Sequence, residues 1–141
     1  QTRMPARAGE YKREPNYAYN PDGSLHSYVD PLHVAEEMQN LVRWIEKERG
    51  QIHPATLGAM AHYNFVRIHP FADGNGRVAR ILMNLILMQE GYPPAIIRNE
   101  QRRFYLEALR TAGQVDMDPF VEFCAASLVQ TEEMMVADLN I

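Results

Sequence analysis

Beyond residue 30, apolar residues recur every three or four positions, the period of helices with one buried face. Val34, Met38, Leu41, Val42 and Ile45 follow that spacing. Asp30 precedes them as a cap, Pro31 suits the first helical position, and Gly50 fits the stop. A second helix is expected from Pro54, through Leu57, Met60, Ala61, Asn64 and Phe65, ending before Ile68-His69-Pro70. A third runs from about Gly76 to Glu90, where Gly91 and the Pro93-Pro94 pair stop it. Its segment ILMNLILM, Ile81–Met88, is apolar nearly all round, which predicts a central, buried helix. A fourth helix is expected behind Asn99 as cap, running to about Ala112 with Gly113 as its stop. A fifth, capped by Asp118 with Pro119 behind it, carries Phe120, Phe123, Leu128 and Met135 to about Leu139.

Before residue 30 the pattern changes. Residues 1–16 are polar and aperiodic and read as an irregular lead-in. Within residues 16–29, two short runs rich in Tyr and Val flank Asn20-Pro21-Asp22-Gly23-Ser24, which is strong turn chemistry. A β-hairpin is expected there, and a lone hairpin must lean on something larger. Tyr17, Tyr19 and Tyr28 are expected to pack on the helices. The fold class is therefore all-α with one short N-terminal hairpin. A single domain is expected over 1–141, with a helical core over 30–139.

Composition narrows the function classes. A chain of 141 residues supports one core. Its net charge of −4, without a Lys/Arg cluster along one face, lacks the footprint of a nucleic-acid binder. The single cysteine, Cys124, cannot form an internal disulfide and implies no oxidising compartment. The longest apolar run falls well short of the ~20 residues of a membrane helix. No signal peptide is visible, and the start at Gln1 suits a fragment or a processed form.

The densest polar chemistry lies just before the most apolar segment, in HPFADGNGRVAR, His69–Arg80. Gly74 and Gly76 allow close backbone approach to a ligand, and a Gly-rich turn feeding a helix presents unpaired N–H groups. That is an anion site in outline. Arg77 and Arg80, three apart, share a face of the first turns, where the helix dipole disfavours cations by roughly 0.3–1 kcal/mol each. Two arginines make sense there if a polyphosphate sits among them. Asp73 fits such a site when Mg²⁺ bridges it to phosphate. His69 is the residue of the set suited to moving a proton near neutral pH. Phe71 is expected to point into the core and pin the loop.

This stretch resembles the signature of Fic-domain proteins, His-x-Phe-x-(Asp/Glu)-Gly-Asn-Gly-Arg-x-x-Arg. His69, Phe71, Asp73, Gly74, Asn75, Gly76, Arg77 and Arg80 match every fixed position. Chance agreement at eight positions is on the order of one in ten billion placements, so the motif is very specific. The hairpin resembles the family's flap, which pins a target segment by strand pairing. Met83–Pro94 and the helices around it resemble the animal Fic AMP-transferases and their bacterial relatives.

The resemblance implies a Fic fold and transfer of AMP from ATP to a protein hydroxyl. It implies His69 as the base, Asp73 as the Mg²⁺ ligand, and Gly74, Asn75 and Gly76 as the anion hole. Arg77 would bind the β-phosphate and Arg80 the γ-phosphate. Tyr105, on the fourth helix, is the candidate for the adenine pocket, and Gly113 stands where the animal relatives carry Asn. The family's phosphorylating branch has Lys at the position of Gly76, so glycine favours AMP transfer over phosphoryl transfer; UMP and phosphocholine are transferred by other members. Many relatives carry an inhibitory Ser/Thr-x-x-x-Glu helix. No Ser or Thr here is followed by Glu at that spacing. The inhibitory element would then lie upstream, come from a partner, or be absent, and de-AMPylation that depends on that Glu would be poor.

The resemblance further implies a target protein along the flap and leaves room for a homodimer. Cytoplasmic placement is expected, with the secretory lumen as the alternative for an animal-type protein. Two other functions compete: a nucleotide-binding module without turnover, and the toxin of a toxin–antitoxin pair. His26, His33, His53 and His62 lack metal-ligand spacing and receive no role.

Overall fold

A computed structural model describes residues 7–139, apart from the side chain of Gln114. Residues 7–16 are irregular, while residues 1–6 of the expected lead-in lie outside the described residues; a hairpin follows, β1 (Tyr17–Tyr19) and β2 (Leu25–Ser27), paired antiparallel with Tyr17 opposite Ser27 and Tyr19 opposite Leu25. The turn closes as its residues dictate. Asp22 Oδ1 accepts from the backbone N–H and the hydroxyl of Ser24, at 2.9 and 2.6 Å, and Gly23 takes φ +83°.

A short 3-10 turn (Pro31–His33) leads into α1 (Val34–Glu48), with the Asp30 carboxylate accepting from the Leu32 N–H at 2.9 Å. There follow α2 (Pro54–Ile68), α3 (Asn75–Gln89), a second 3-10 turn (Asn99–Gln101), α4 (Arg102–Gln114) and α5 (Asp118–Leu139). The sequence places all five helices within a few residues. The differences sit at the ends: Arg98, not Asn99, precedes the fourth helix's opening turn, and Gly113 lies inside α4 rather than stopping it. A Cβ on Gly113 would stand 3.4 Å from the Tyr63 hydroxyl, so the glycine leaves room for that contact.

Two apolar clusters share α2 and α3. One joins Val34, Leu41 and Ile45 of α1 to Leu57, Phe65 and Ile68 of α2 and Ile86 of α3. The other joins Met83 and Leu87 of α3 to Tyr105 of α4 and Phe120, Cys124 and Leu128 of α5. Gly58 lets α2 and α3 approach, since a Cβ there would stand 3.2 Å from Met83 Cγ and 3.3 Å from its carbonyl oxygen. Each helix leaves the other to cover one side, and this corrects the expectation for α3. Its apolar run is buried on the Met83–Ile86–Leu87 side only, while Ile81, Leu85 and Met88 are exposed along the opposite stripe. Among the described residues, no helix is long and apolar enough to cross a membrane.

The hairpin departs from expectation too. Tyr17 and Tyr19 are exposed, and Tyr28, just past β2, is the tyrosine that reaches the helical body. The pleat explains it: Tyr17 and Tyr19 share one face, and the alternate positions turn the other way.

Candidate active site

The site is the junction between α2 and α3, held by three local devices. First, α2 ends on His69, whose N–H still donates to the Phe65 carbonyl at 2.9 Å while its backbone turns left-handed at φ 54°, ψ 58°. It is the sole non-glycine with positive φ among the described residues. A residue other than glycine is uncommon in that conformation, and its presence marks a position whose direction matters. Buried Pro70 follows and ends the helix.

Second, Asn75 clasps the loop. Its Oδ1 accepts from the Phe71 N–H at 2.9 Å and its Nδ2 donates to the Phe71 carbonyl at 2.8 Å. The same carbonyl accepts from Asn16 Nδ2 at 3.1 Å. Phe71 packs near Phe65 and Tyr11, pinning the loop as expected. The Asn75 side chain is thus committed to the loop, and what it offers an anion is its backbone N–H.

Third, Gly74 takes φ +82° and starts α3. The first N–H groups of that helix have no intrahelical partner. Both arginines lie close to them: a Cβ on Gly74 would come within 3.3 Å of Arg77 Nη2, and one on Gly76 within 3.5 Å of Arg80 Nη1. Glycine, N–H groups and two guanidiniums therefore form one cradle of positive charge at the start of α3. Asp73 stands beside it with an exposed side chain, 3.6 Å from Arg77 Nη2.

His69 is oriented for proton transfer. Its Nδ1 lies 3.1 Å from the Val66 carbonyl oxygen. A carbonyl only accepts, so Nδ1 carries the proton and Nε2 keeps a lone pair. Burial holds the imidazole below its usual pKa, which favours the neutral form; the Val66 carbonyl opposes this, and Lys12 and His26 add to it. Tyr28 stacks on the ring, with centroids 3.7 Å apart and planes 9° from parallel.

Beneath the cradle lies a contact that the sequence did not announce. Arg80 sits 5.9 Å from the centre of the Tyr105 ring. Tyr105 is 5% exposed, and its hydroxyl lies 2.8 Å from Nε2 of fully buried His62. Tyr105 therefore belongs to the core under Arg80. Its ring is packed between Arg80, His62, Phe120 and Phe123.

The structure thus brings His69, Asp73, Gly74, Asn75, Gly76, Arg77 and Arg80 together at one helix junction. Sequence reasoning missed Tyr28, His62 and Lys12. His62 lies among Gly58, Ala61 and Phe65 on the buried side of α2, a signal of burial rather than of chemistry. Lys12 lies in an aperiodic stretch where pattern says nothing. As for the donor set, no cluster of three metal-ligating side chains exists among the described residues. One open carboxylate beside a phosphate cradle fits Mg²⁺, which takes most of its shell from phosphate and water.

Comparison with known proteins places this geometry. The family model that matches is that of the Fic/DOC family, over residues 1–87. The protein adenylyltransferase Fic of Drosophila melanogaster is 40% identical over 131 residues, covering 92% of this chain and 26% of that protein. The chain therefore spans about a quarter of the length of that relative. A Fic-domain-containing signaling protein from Bacteroides thetaiotaomicron superposes with a TM-score of 0.84 at 35% identity, over 89% of this chain and 53% of that one. IbpAFic2, in a structure where it is covalently tethered to Cdc42, gives 0.63 at 25% identity, over 86% and 42%.

Proposed function

Because the chain belongs to the Fic/DOC family, we propose that it transfers AMP from ATP to a hydroxyl of a target protein, releasing pyrophosphate. The observation that carries this reading is the pairing of a neutral, oriented His69 with the cradle at the start of α3. Nucleotidyl transfer needs little else: positioning, charge neutralisation and one proton acceptor.

In this reading Nε2 of His69 takes the proton of a Ser, Thr or Tyr hydroxyl as its oxygen bonds to the α-phosphorus. The bond from that phosphorus to the bridging oxygen of the β-phosphate breaks, and pyrophosphate leaves with the electron pair. The N–H groups of Asn75 and Gly76 and the guanidinium of Arg77 receive the leaving oxygens, while Arg80 holds the γ-phosphate. Asp73 would hold Mg²⁺, which supplies charge neutralisation on the phosphates when bound. Tyr28 and the flap bring the target segment to His69. IbpAFic2 tethered to Cdc42 supports a protein as the acceptor. An inhibitory Glu would lie upstream, come from a partner, or be absent, and a homodimer is compatible with the reading.

The test is label transfer from ATP marked at the α-phosphate, with Mg²⁺ and host lysate, comparing wild type with His69→Ala. Label on protein bands that disappears with His69 supports AMP transfer. Label from the γ-phosphate alone would overturn it in favour of phosphorylation, and ATP binding without label would favour a binding module.

A further inference from the structure

Resting on the reading of His69 as proton acceptor, we propose that Asn16 is a positioning residue for the reaction. Its side-chain amide fastens the foot of the hairpin to the loop between α2 and α3, and so holds Tyr28 and the flap in place against His69. The hairpin cannot keep that place by packing. Its strands are three residues each, every residue of β2 is exposed, and in β1 only Ala18 is half-buried. Two such strands are marginal on their own in water. What fixes them is their open end. Past β2, Tyr28 lies flat on His69, and Val29 packs against the cluster that joins α1 to α2. Ahead of β1 stands Asn16, whose backbone carbonyl accepts from the Tyr28 N–H at 3.4 Å, so the two feet are joined.

The Asn16 side chain ties those feet to the loop. Its Nδ2 donates to the Phe71 carbonyl at 3.1 Å, and the same oxygen, with its second lone pair, accepts from Asn75 Nδ2 at 2.8 Å. One carbonyl thus links the flap to the first residue of α3. The Asn16 Oδ1 accepts from the Lys12 ammonium at 2.7 Å. Lys12 is 5% exposed, and its own N–H donates to the Pro70 carbonyl at 2.8 Å. An ammonium only donates and a carbonyl only accepts, so the amide has one orientation with both ends committed. Closing the hairpin needs none of this, because Asp22, Gly23 and Ser24 already close it at the turn. What the amide adds is a fixed relation between hairpin and base. Proton transfer from a hydroxyl presented by one element to an imidazole carried by another depends on that relation, since small misplacements cost rate.

The test follows the stack itself. The proton on His69 Cε1 lies in the ring current of Tyr28, so its NMR shift in the free protein reports the stack without turnover. The measurement is made at about pH 8, where the imidazole is neutral, and Tyr28→Ala supplies the unstacked value. Asn16→Ala should carry the signal toward that value. Asn16→Asp, which keeps an acceptor for Lys12 but has no N–H for Phe71, should do the same, and serves if Asn16→Ala does not fold. Asn16→Gln, which keeps the amide, should recover part of the wild-type shift. Calorimetric binding of ATP with Mg²⁺ should stay near wild type in these variants. Label transfer from ATP marked at the α-phosphate should fall several-fold in dilute host lysate and less in concentrated lysate. A wild-type signal in Asn16→Asp overturns the proposal, because the bond to Phe71 is then not what holds the stack. ATP binding that weakens as much as label transfer also overturns it, since Asn16 would then be a general support of the loop. Absence of label transfer in wild type would defeat the AMP-transfer reading and leave the NMR comparison untouched.

Discussion

Tyr28 lies flat on His69, their ring centres 3.7 Å apart and their planes 9° from parallel. The hairpin therefore touches the proposed base directly. His26 meets Tyr28 edge-on at 4.9 Å, so an aromatic path runs from β2 to the imidazole. Burial is the largest influence lowering the His69 pKa, and Tyr28 supplies part of that cover.

Tyr28→Ala should uncover the ring and let its pKa rise toward the usual ~6.5. The base must be neutral to accept a proton, and it protonates as pH falls through its pKa. A raised pKa thus moves the acid limb of the pH–rate profile to higher pH. The rate at pH 8 should fall by roughly three- to tenfold as the ring loses its fixed plane. Tyr28→Phe keeps the stack and should keep both rate and limb. A Tyr28→Ala profile that overlays wild type would show that the stack has no part in catalysis.

The contact of Arg80 with Tyr105 gives a second expectation. The Tyr105 hydroxyl lies 2.8 Å from His62 Nε2 in the core, and Arg80 rests over the ring. Tyr105→Phe keeps the ring and removes the anchor, so that Nε2 of His62 loses its partner while Nδ1 already has none, at a cost of about 1–3 kcal/mol in stability. If Arg80 grips the γ-phosphate, ATP binding should weaken several-fold while ADP binding stays unchanged. Calorimetric titration with both nucleotides decides it, and equal losses for the two would remove Arg80 from the γ-phosphate.

How much of this was legible beforehand follows from the kind of signal each residue carries. The α2–α3 junction was readable because His69–Arg80 concentrates residue types that stability alone would not place at a helix start. The hairpin was readable from Asn20–Ser24, since turn chemistry is local. Periodicity overstated the burial of α3, because an apolar residue at every position does not reveal which side meets α2; Ile81, Leu85 and Met88 remain outside. The contact of Tyr105 with His62 was not legible, because the two are 43 residues apart in sequence. Lys12 is tied to Pro70 and Asn16 by hydrogen bonds that no spacing rule anticipates.

His62 carries a pH dependence of stability. Burial, helped by the charge of Arg80, depresses its pKa to about 3. The unfolded chain binds this proton near pH 6.5, so between those values the unfolded state holds more protons than the folded one. Stability is therefore complete above about pH 6.5 and is lost as pH falls toward 3. At pH 5 this group should lower stability by about 2 kcal/mol relative to pH 7.5. Denaturant midpoints at the two pH values measure it, and His62→Gln should flatten the difference. A difference that survives in His62→Gln would assign it to other groups.

Asp73 separates the needs of the fold from those of the chemistry. Its ion pair with Arg77 is long, at 3.6 Å, and both side chains are exposed, 83% and 71%. Such a pair contributes little to stability. In the proposed reading the carboxylate would instead hold Mg²⁺, a cation that a single open carboxylate suits. Asp73→Asn should leave the unfolding midpoint within about 0.5 kcal/mol of wild type. It should abolish Mg²⁺-dependent label transfer and raise the Mg²⁺ concentration needed for ATP to bind. Asp73→Glu, which keeps the charge one methylene further out, should restore part of the activity at higher Mg²⁺. If Asp73→Asn transfers AMP at the wild-type rate, the metal is held elsewhere, and the carboxylate serves only to steer Arg77.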